Sequence, residues 1–351
     1  MNFFQKLFGK SKPDNFHTKQ TESEQEEPTA DIKILLERAK KKIKKNNIDG
    51  ASTDIEAILK IDPNSIEAYM ARSDVKKKQK DEIGAKEDFE YAGILLKRLD
   101  KGLKAHEKGL AKYNESDYKS AIMHFNDAIS FNIELGQTYH LRGLSKKYTG
   151  DYRGALIDFE KVIDFHPAYE ELAEVYYDSG KIKYHKIDDY EGTLKDYNQS
   201  IKLKPTNADI YFSRAILKKS MDDTDGAFED YNKSIELNPS DAETFFSRAL
   251  LYMSLENYSE AITDLNNVIK LGLSDADSVS LFDAYAMRAS CKLLSKNYVE
   301  AIKDFDKTIE LEPENGKAYF ERGEAWLLIG DNQKAAEDKF MAIKLGYEEE
   351  D

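Results

Sequence analysis

A chain that repeats itself at a fixed short period has few folds open to it, because every copy must bury the same face against its neighbours. Four stretches of this 351-residue sequence are near copies: ALIDFEKVIDFHP (155–167), TLKDYNQSIKLKP (193–205), AFEDYNKSIELNP (227–239) and AIKDFDKTIELEP (301–313). Aligned on their prolines, they return about every 34 residues. A second motif recurs at the same period: YFSRA (211–215), FFSRA (245–249), YAMRA (285–289) and YFERG (319–323). Each places an arginine among apolar and small residues, a costly position for a charge unless something answers it.

The stretch 282–315 carries the pattern most completely. Tyr285 stands at position 4, Ala289 at 8, Ala301 at 20, Phe305 at 24, Thr308 at 27 and Pro313 at 32. This period, with small and bulky residues at fixed offsets, resembles the tetratricopeptide repeat family. There positions 8, 20 and 27 are small and positions 4, 11 and 24 are bulky, so that two antiparallel helices approach closely and interlock. Proline at 32 stops the second helix. The resemblance implies an all-α fold: a right-handed superhelical solenoid of about nine helix-turn-helix repeats, with eighteen helices and a concave surface lined by the first helix of each unit.

The same frame fits at 32–65, 66–99, 102–135, 136–169, 173–207, 208–241, 242–275, 282–315 and 316–349. Four departures stand out: Ile133 where proline is expected, one extra residue near 186–190, a six-residue insert at 276–281, and Lys339 at position 24 of the last unit. A polar residue there suits a terminal unit with no neighbour to cover it. Outside the solenoid lie a flexible amino-terminal tail, residues 1–31, and an acidic end, residues 350–351.

In this frame the arginine occupies position 7, and an aspartate stands sixteen residues on, at position 23 of the second helix. The pairs are Arg38 with Asp54, Arg72 with Asp88, Arg142 with Asp158, Arg214 with Asp230, Arg248 with Asp264, Arg288 with Asp304, and Arg322 with Asp338. The exceptions are Lys108 with His124 in the third unit and Ser179 with Asp196 in the fifth; their joint departure points to contact between the two positions. If positions 8 and 20 face each other, position 7 lies near 21–23, and a guanidinium can offer its planar fork to a carboxylate. The expectation is a set of structural ion pairs that fix the register of each hairpin.

The resemblance further implies that positions 2, 5, 9, 12 and 13 face the concave groove. These include His140, Leu144, Tyr177, Tyr184, Phe212, Ile216, Phe246, Leu250, Met253, Leu293, Phe320 and Leu327. From the fifth unit onward the stripe is apolar and aromatic, suited to an extended peptide or an amphipathic helix; packing between units is the competing use of the same aromatics. The Lys/Asn/Arg clamp by which some family members hold chaperone termini is not found.

No catalytic chemistry is legible. The six histidines form no HExxH spacing, a lone Cys291 cannot build a thiolate site, and GKS at 9–11 lacks the rest of a phosphate loop. Neither an enzyme nor a cofactor or metal is expected. The net charge of −14 argues against a nucleic-acid binder, although 32–112 carry 20 Lys/Arg against 14 Asp/Glu. One cysteine, no apolar run of membrane-spanning length and no secretory signal fit a cytoplasmic protein. The expected function is a non-enzymatic scaffold or adaptor with a protein or peptide partner. The alternative is a membrane-peripheral assembly factor, recruited through Phe3, Phe4, Leu7 and Phe8, with Lys6 and Lys10, by weak surface contact of residues 1–12 and the basic first third.

Overall fold

In a computed structural model the described residues, 28–131, 135–272 and 280–347, form an all-α solenoid of antiparallel hairpins. The amino-terminal segment 1–12, Ile133 and residues 276–279 of the insert at 276–281 lie outside them. The helices are α1 (Pro28–Lys44), α2 (Ile48–Ile61), α3 (Ile66–Lys78), α4 (Glu82–Asn114), α5 (Tyr118–Ser130), α6 (Gly136–Tyr148), α7 (Tyr152–Phe165), α8 (Leu172–Ile182), α9 (Tyr190–Leu203), α10 (Ala208–Ser220), α11 (Thr224–Leu237), α12 (Ala242–Ser254), α13 (Tyr258–Leu271), α14 (Leu281–Leu294), α15 (Tyr298–Leu311), α16 (Gly316–Leu328) and α17 (Asn332–Lys344). None of them is long and apolar enough to cross a membrane. The described residues fall into two compact units, the first reaching Lys104 and including Ser130, the second running from Ala105.

The small residue at position 20 sits at every hairpin crossing. Ala51, Ala85, Ala121, Ala155, Thr193, Ala227, Ala261, Ala301 and Ala335 are all buried. One turn further along the same helix the bulky residue at position 24 fills the gap beside position 8 of the facing helix, as Phe159 does against Gly143. A Cβ on Gly143 would come within 2.6 Å of the Phe159 ring, so glycine is required there by close approach. At the inner turns Asn47, Asp81, Asp151, Asp189 and Asp223 accept a hydrogen bond from the backbone N–H three residues on, each time a glycine.

Two details differ from the sequence expectation. The second helix of the second repeat and the first helix of the third are one element, the 33-residue α4, giving seventeen α-helices among the described residues rather than eighteen. The junction LKRLDKGLK (96–104) has no proline and consists mostly of good helix formers, so nothing stops the helix. The extra residue of the fifth repeat is absorbed by a π-helical turn, Lys183–Ile187, which ends at Asp188 in the left-handed conformation. Widening one turn takes up a residue without shifting the helices that follow.

All seven arginines of the motif reach their aspartates in the same way. Nε donates to one carboxylate oxygen and Nη2 to the other, at 2.5–2.9 Å. The aspartates are buried while the arginines are partly exposed. In most repeats a lysine four residues after the arginine completes the carboxylate's shell: Lys42, Lys76, Lys146, Lys218 and Lys292 lie 2.6–2.9 Å from the aspartates. Its position is the eleventh, where a bulky apolar residue was expected. Tyr252 and Trp326 take that place in the seventh and ninth repeats.

The third guanidinium nitrogen reaches backward. Nη1 of Arg142, Arg214, Arg248 and Arg288 donates to Asn126, Asn198, Asn232 and Asn266 of the preceding repeat, at 2.5–2.7 Å. Arg322 finds Asp306 there at 2.6 Å. The arginine also lies 4.9–5.8 Å from the centroid of the aromatic ring three residues before it in six repeats, Tyr211 beneath Arg214 being one. In the fifth repeat the arginine is absent but Asp196 keeps its place: the Ser179 hydroxyl and the Lys183 ammonium both donate to it at 2.7 Å. Only one member of the pair has changed there, and the third repeat alone replaces both.

Removing a buried carboxylate strands two cations, whereas removing the arginine leaves the lysine in place. Asp158→Ala is therefore expected to cost about 3–5 kcal/mol in urea unfolding, and Arg142→Ala distinctly less; a loss below about 1 kcal/mol for Asp158→Ala would mark the pair as incidental. Gly143→Ala is expected to lower stability by about 1–3 kcal/mol through overpacking against Phe159. At Asp54 the Arg38 hydrogen bond holds the carboxyl below its ordinary 3.8. At Asp88 burial pushes upward, but the hydrogen bonds from Arg72 and Lys76 outweigh it. Depressed values mean that this stabilisation is complete above the unfolded value and is lost as pH falls below 3.8. Urea midpoints are thus expected to be flat from pH 7 to 5 and to drop below pH 4.

Candidate functional site

Within the second unit the first helices of successive repeats, α6, α8, α10, α12, α14 and α16, lie side by side. Hydrogen bonds run directly between them. Lys147 donates to Asp178 at 2.8 Å, the Tyr177 hydroxyl meets Ser213 Oγ at 2.9 Å, and the Tyr184 hydroxyl meets Ser220 Oγ at 2.9 Å. These contacts commit several residues of the expected groove to holding repeats together.

His140 is the clearest correction. It is 3% exposed and lines no surface. Its ring packs against Phe159 and Tyr169, with Nδ1 3.2 Å from the Tyr169 hydroxyl, which itself donates to Glu171 at 2.8 Å. Its Nε2 lies 3.9 Å from Asp178. Burial pushes the Asp178 carboxyl upward, but His140 and the ammonium groups of Lys181 and Lys147 more than reverse this and hold it well below the usual carboxylate range. Position 5 faces outward only where the next repeat leaves it uncovered, and here the loop bearing Tyr169 covers it.

The remaining candidates are partly open. Leu144 is half-buried between the cores around Phe125 and Phe159. Tyr177 and Tyr184 are half-buried against Tyr197 and Leu194. Phe212 packs on Tyr231, and Phe246 reaches two neighbouring cores. Ile216, Leu250, Met253 and Leu293 are likewise half-buried on the first helices, Met253 and Leu293 also packing against cores, and Leu327 is 44% exposed. Phe320 stacks 5.1 Å from Tyr347 with Lys339 Nζ 5.6 Å above its ring. Lys339, expected as the polar residue of a terminal repeat, also pairs with Glu324 at 2.5 Å.

A notch of about 460 Å³ opens on this face around α14 and α16. Met253, Phe282 and Met287 form apolar walls, and Ser290, Lys317 and Glu321 bring polar groups to it. Of these Met253 and Ser290 fall at groove positions of the repeat frame. Phe282 and Glu321 escape a reading by groove positions because they enter from positions 1 and 6, to which the repeat pattern gives no groove role. A second hollow, about 980 Å³, lies in the first unit between α1 and α3, where Lys40, Lys41 and Lys44 face Glu37, Glu67 and Asp74 in near balance.

Three comparisons bear on family. Models described as tetratricopeptide repeat match residues 208–241, 242–271 and 295–344. An SGT1 homologue of Oryza sativa subsp. japonica is 38% identical over 65 residues, 18% of this chain; the matched region spans only 17% of that protein. Among solved structures, the carboxy-terminal part of a tetratricopeptide repeat-containing protein from Cytophaga hutchinsonii superposes with a TM-score of 0.58 at 19% identity, covering 69% of this chain and 95% of that one. The MamA protein superposes with a TM-score of 0.46 at 22% identity, covering 50% of this chain and 93% of its own. Repeat models on both sides of the insert show that this chain contains tetratricopeptide repeats over 208–271 and 295–344, and the Cytophaga structure shares its solenoid fold.

Proposed function

We propose that this tetratricopeptide repeat scaffold binds an extended peptide or an amphipathic helix across the face formed by α10, α12, α14 and α16. The observation that carries this reading is the row of apolar side chains left partly open there, Ile216, Leu250, Met253, Leu293 and Leu327, beside the notch at α14 and α16. A row of apolar side chains set between charged rims is the surface such ligands use, since main-chain length is read by repeats and side chains by pockets. The chemistry here is recognition: the strongly shifted carboxylate Asp178 is saturated by lysines, and Cys291 is fully buried with its thiol pushed up to about 11, far from a reactive thiolate.

Phe212 and Phe246 are poor probes of binding, because each also packs against a core. Ile216→Asn with Leu250→Asn alters the open row instead. Dodecapeptides selected from a random displayed library on the wild-type protein are expected to bind that double variant at least about tenfold more weakly, a loss of about 1.4 kcal/mol or more. Circular dichroism and melting temperature would show that the solenoid is intact. Failure to select any peptide, or equal binding to both proteins, would overturn the reading.

A further inference from the structure

Glu321 is unlike the other carboxylates of the core. Each aspartate of the repeated brace holds two or more cationic or hydroxyl donors, and Asp178 holds two lysines. Glu321 faces the notch with its side chain 24% exposed and has only Lys317 at 3.8 Å, itself 64% exposed, and the Ser290 hydroxyl at 3.2 Å. That hydroxyl has one proton, and it also lies 3.0 Å from the Ala286 carbonyl, so it cannot serve both acceptors at once. Burial accordingly pushes the Glu321 carboxyl above its ordinary value, while Lys317 and Ser290 pull weakly the other way. It is the one Asp or Glu among the described residues with a clear upward shift; the others with clear shifts move down.

The walls beside it are apolar and unbranched or planar: Met253, Phe282 and Met287. Asp283, also at the notch, is turned to the start of its own helix, where it accepts from Ser280, and adds negative charge without offering a free fork. A cavity of about 460 Å³ with an aliphatic wall and one under-answered anion is shaped for a group with a long apolar stem and a cationic head. We propose that the notch takes a single basic side chain, arginine or lysine, of a bound peptide, its stem along Met253, Phe282 and Met287 and its cation on the Glu321 carboxylate. The inference rests on the peptide-binding reading of this face and adds the identity of one ligand residue. A carboxylate kept short of partners in the free protein is answered when the peptide arrives, which makes the contact selective for charge and not only for bulk.

The test uses fluorescently labelled nonapeptide pools, randomised except at a central residue fixed in turn as Arg, Lys, Met, Leu or Glu, with polarisation measured on the full chain. Wild-type protein is expected to bind the Arg and Lys pools about tenfold more tightly than the Met and Leu pools. Glu321→Gln is expected to erase that ratio while retaining the Met and Leu pools, and Glu321→Lys to turn preference toward the Glu pool. Glu321→Gln should also melt no lower than wild type, since it removes a charge that burial disfavours. Basic pools that bind no better than apolar ones, or a ratio untouched by Glu321→Gln, would overturn the assignment while leaving the peptide reading intact. Absence of binding by every pool, the apolar ones included, would overturn both.

Discussion

Eight of the nine repeats of this solenoid are organised around a carboxylate that has been taken out of water. A buried aspartate is expensive unless its lone pairs are filled, and the chain fills them with a guanidinium fork from the facing helix and, in most repeats, a lysine one turn further along. The fork accepts one alignment of the two helices, because both nitrogens must meet both oxygens. The same arginine spends its remaining nitrogen on the preceding repeat and lies near the ring of its own YxxR neighbour. Hairpin register, stacking between repeats and the packing of the position-4 aromatic therefore converge on one side chain. Ion pairs of this kind are not in general more stabilising than apolar residues of equal volume; what the fork supplies is a unique answer to which residue faces which.

Much of this was legible before any coordinates, because a 34-residue period multiplies a weak local signal. Arg214 and Asp230 alone would mean little, but their recurrence at a constant spacing of sixteen residues makes contact the economical reading. Lys218 was overlooked because the family pattern assigns its position to a bulky apolar residue, and a long side chain can satisfy both demands by burying its stem and pointing its head at Asp230. Asn198 and Asn266 were beyond reach for a different reason: they belong to the neighbouring repeat, sixteen residues away in one case and twenty-two in the other. Contacts between repeats depend on how units stack, which a single repeat does not encode.

The face of the first helices was legible as a pattern and less so as a surface. The repeat frame assigns His140 and Ile216 alike to the groove face, yet one is enclosed by Tyr169 and Glu171 and the other is partly open. The connecting segment between repeats decides between them, and its sequence is the least regular part of the unit. The notch at α14 and α16 was legible only in part, through Met253, since Met253, Phe282 and Glu321 come from three consecutive repeats. Asp304 and Glu321, a short distance apart in sequence, illustrate the two ways a protein can keep an acid away from water: one saturated with donors and serving the architecture, the other left wanting.

The backward reach of the arginine has a consequence for how such a gene can change. Asn198, Asn232 and Asn266 are the same residue in the same role, so an arginine that follows any of these three repeats meets an equivalent acceptor. Loss of 208–241 by recombination would set Arg248 against Asn198 in place of Asn232, and a duplication would create a new pair as it created a new neighbour. The insert before 282 shows the same indifference, for Arg288 finds Asn266 across it. Copy number among these repeats can thus drift by whole units without orphaning the arginine that follows them, and the stack can lengthen or shorten one unit at a time.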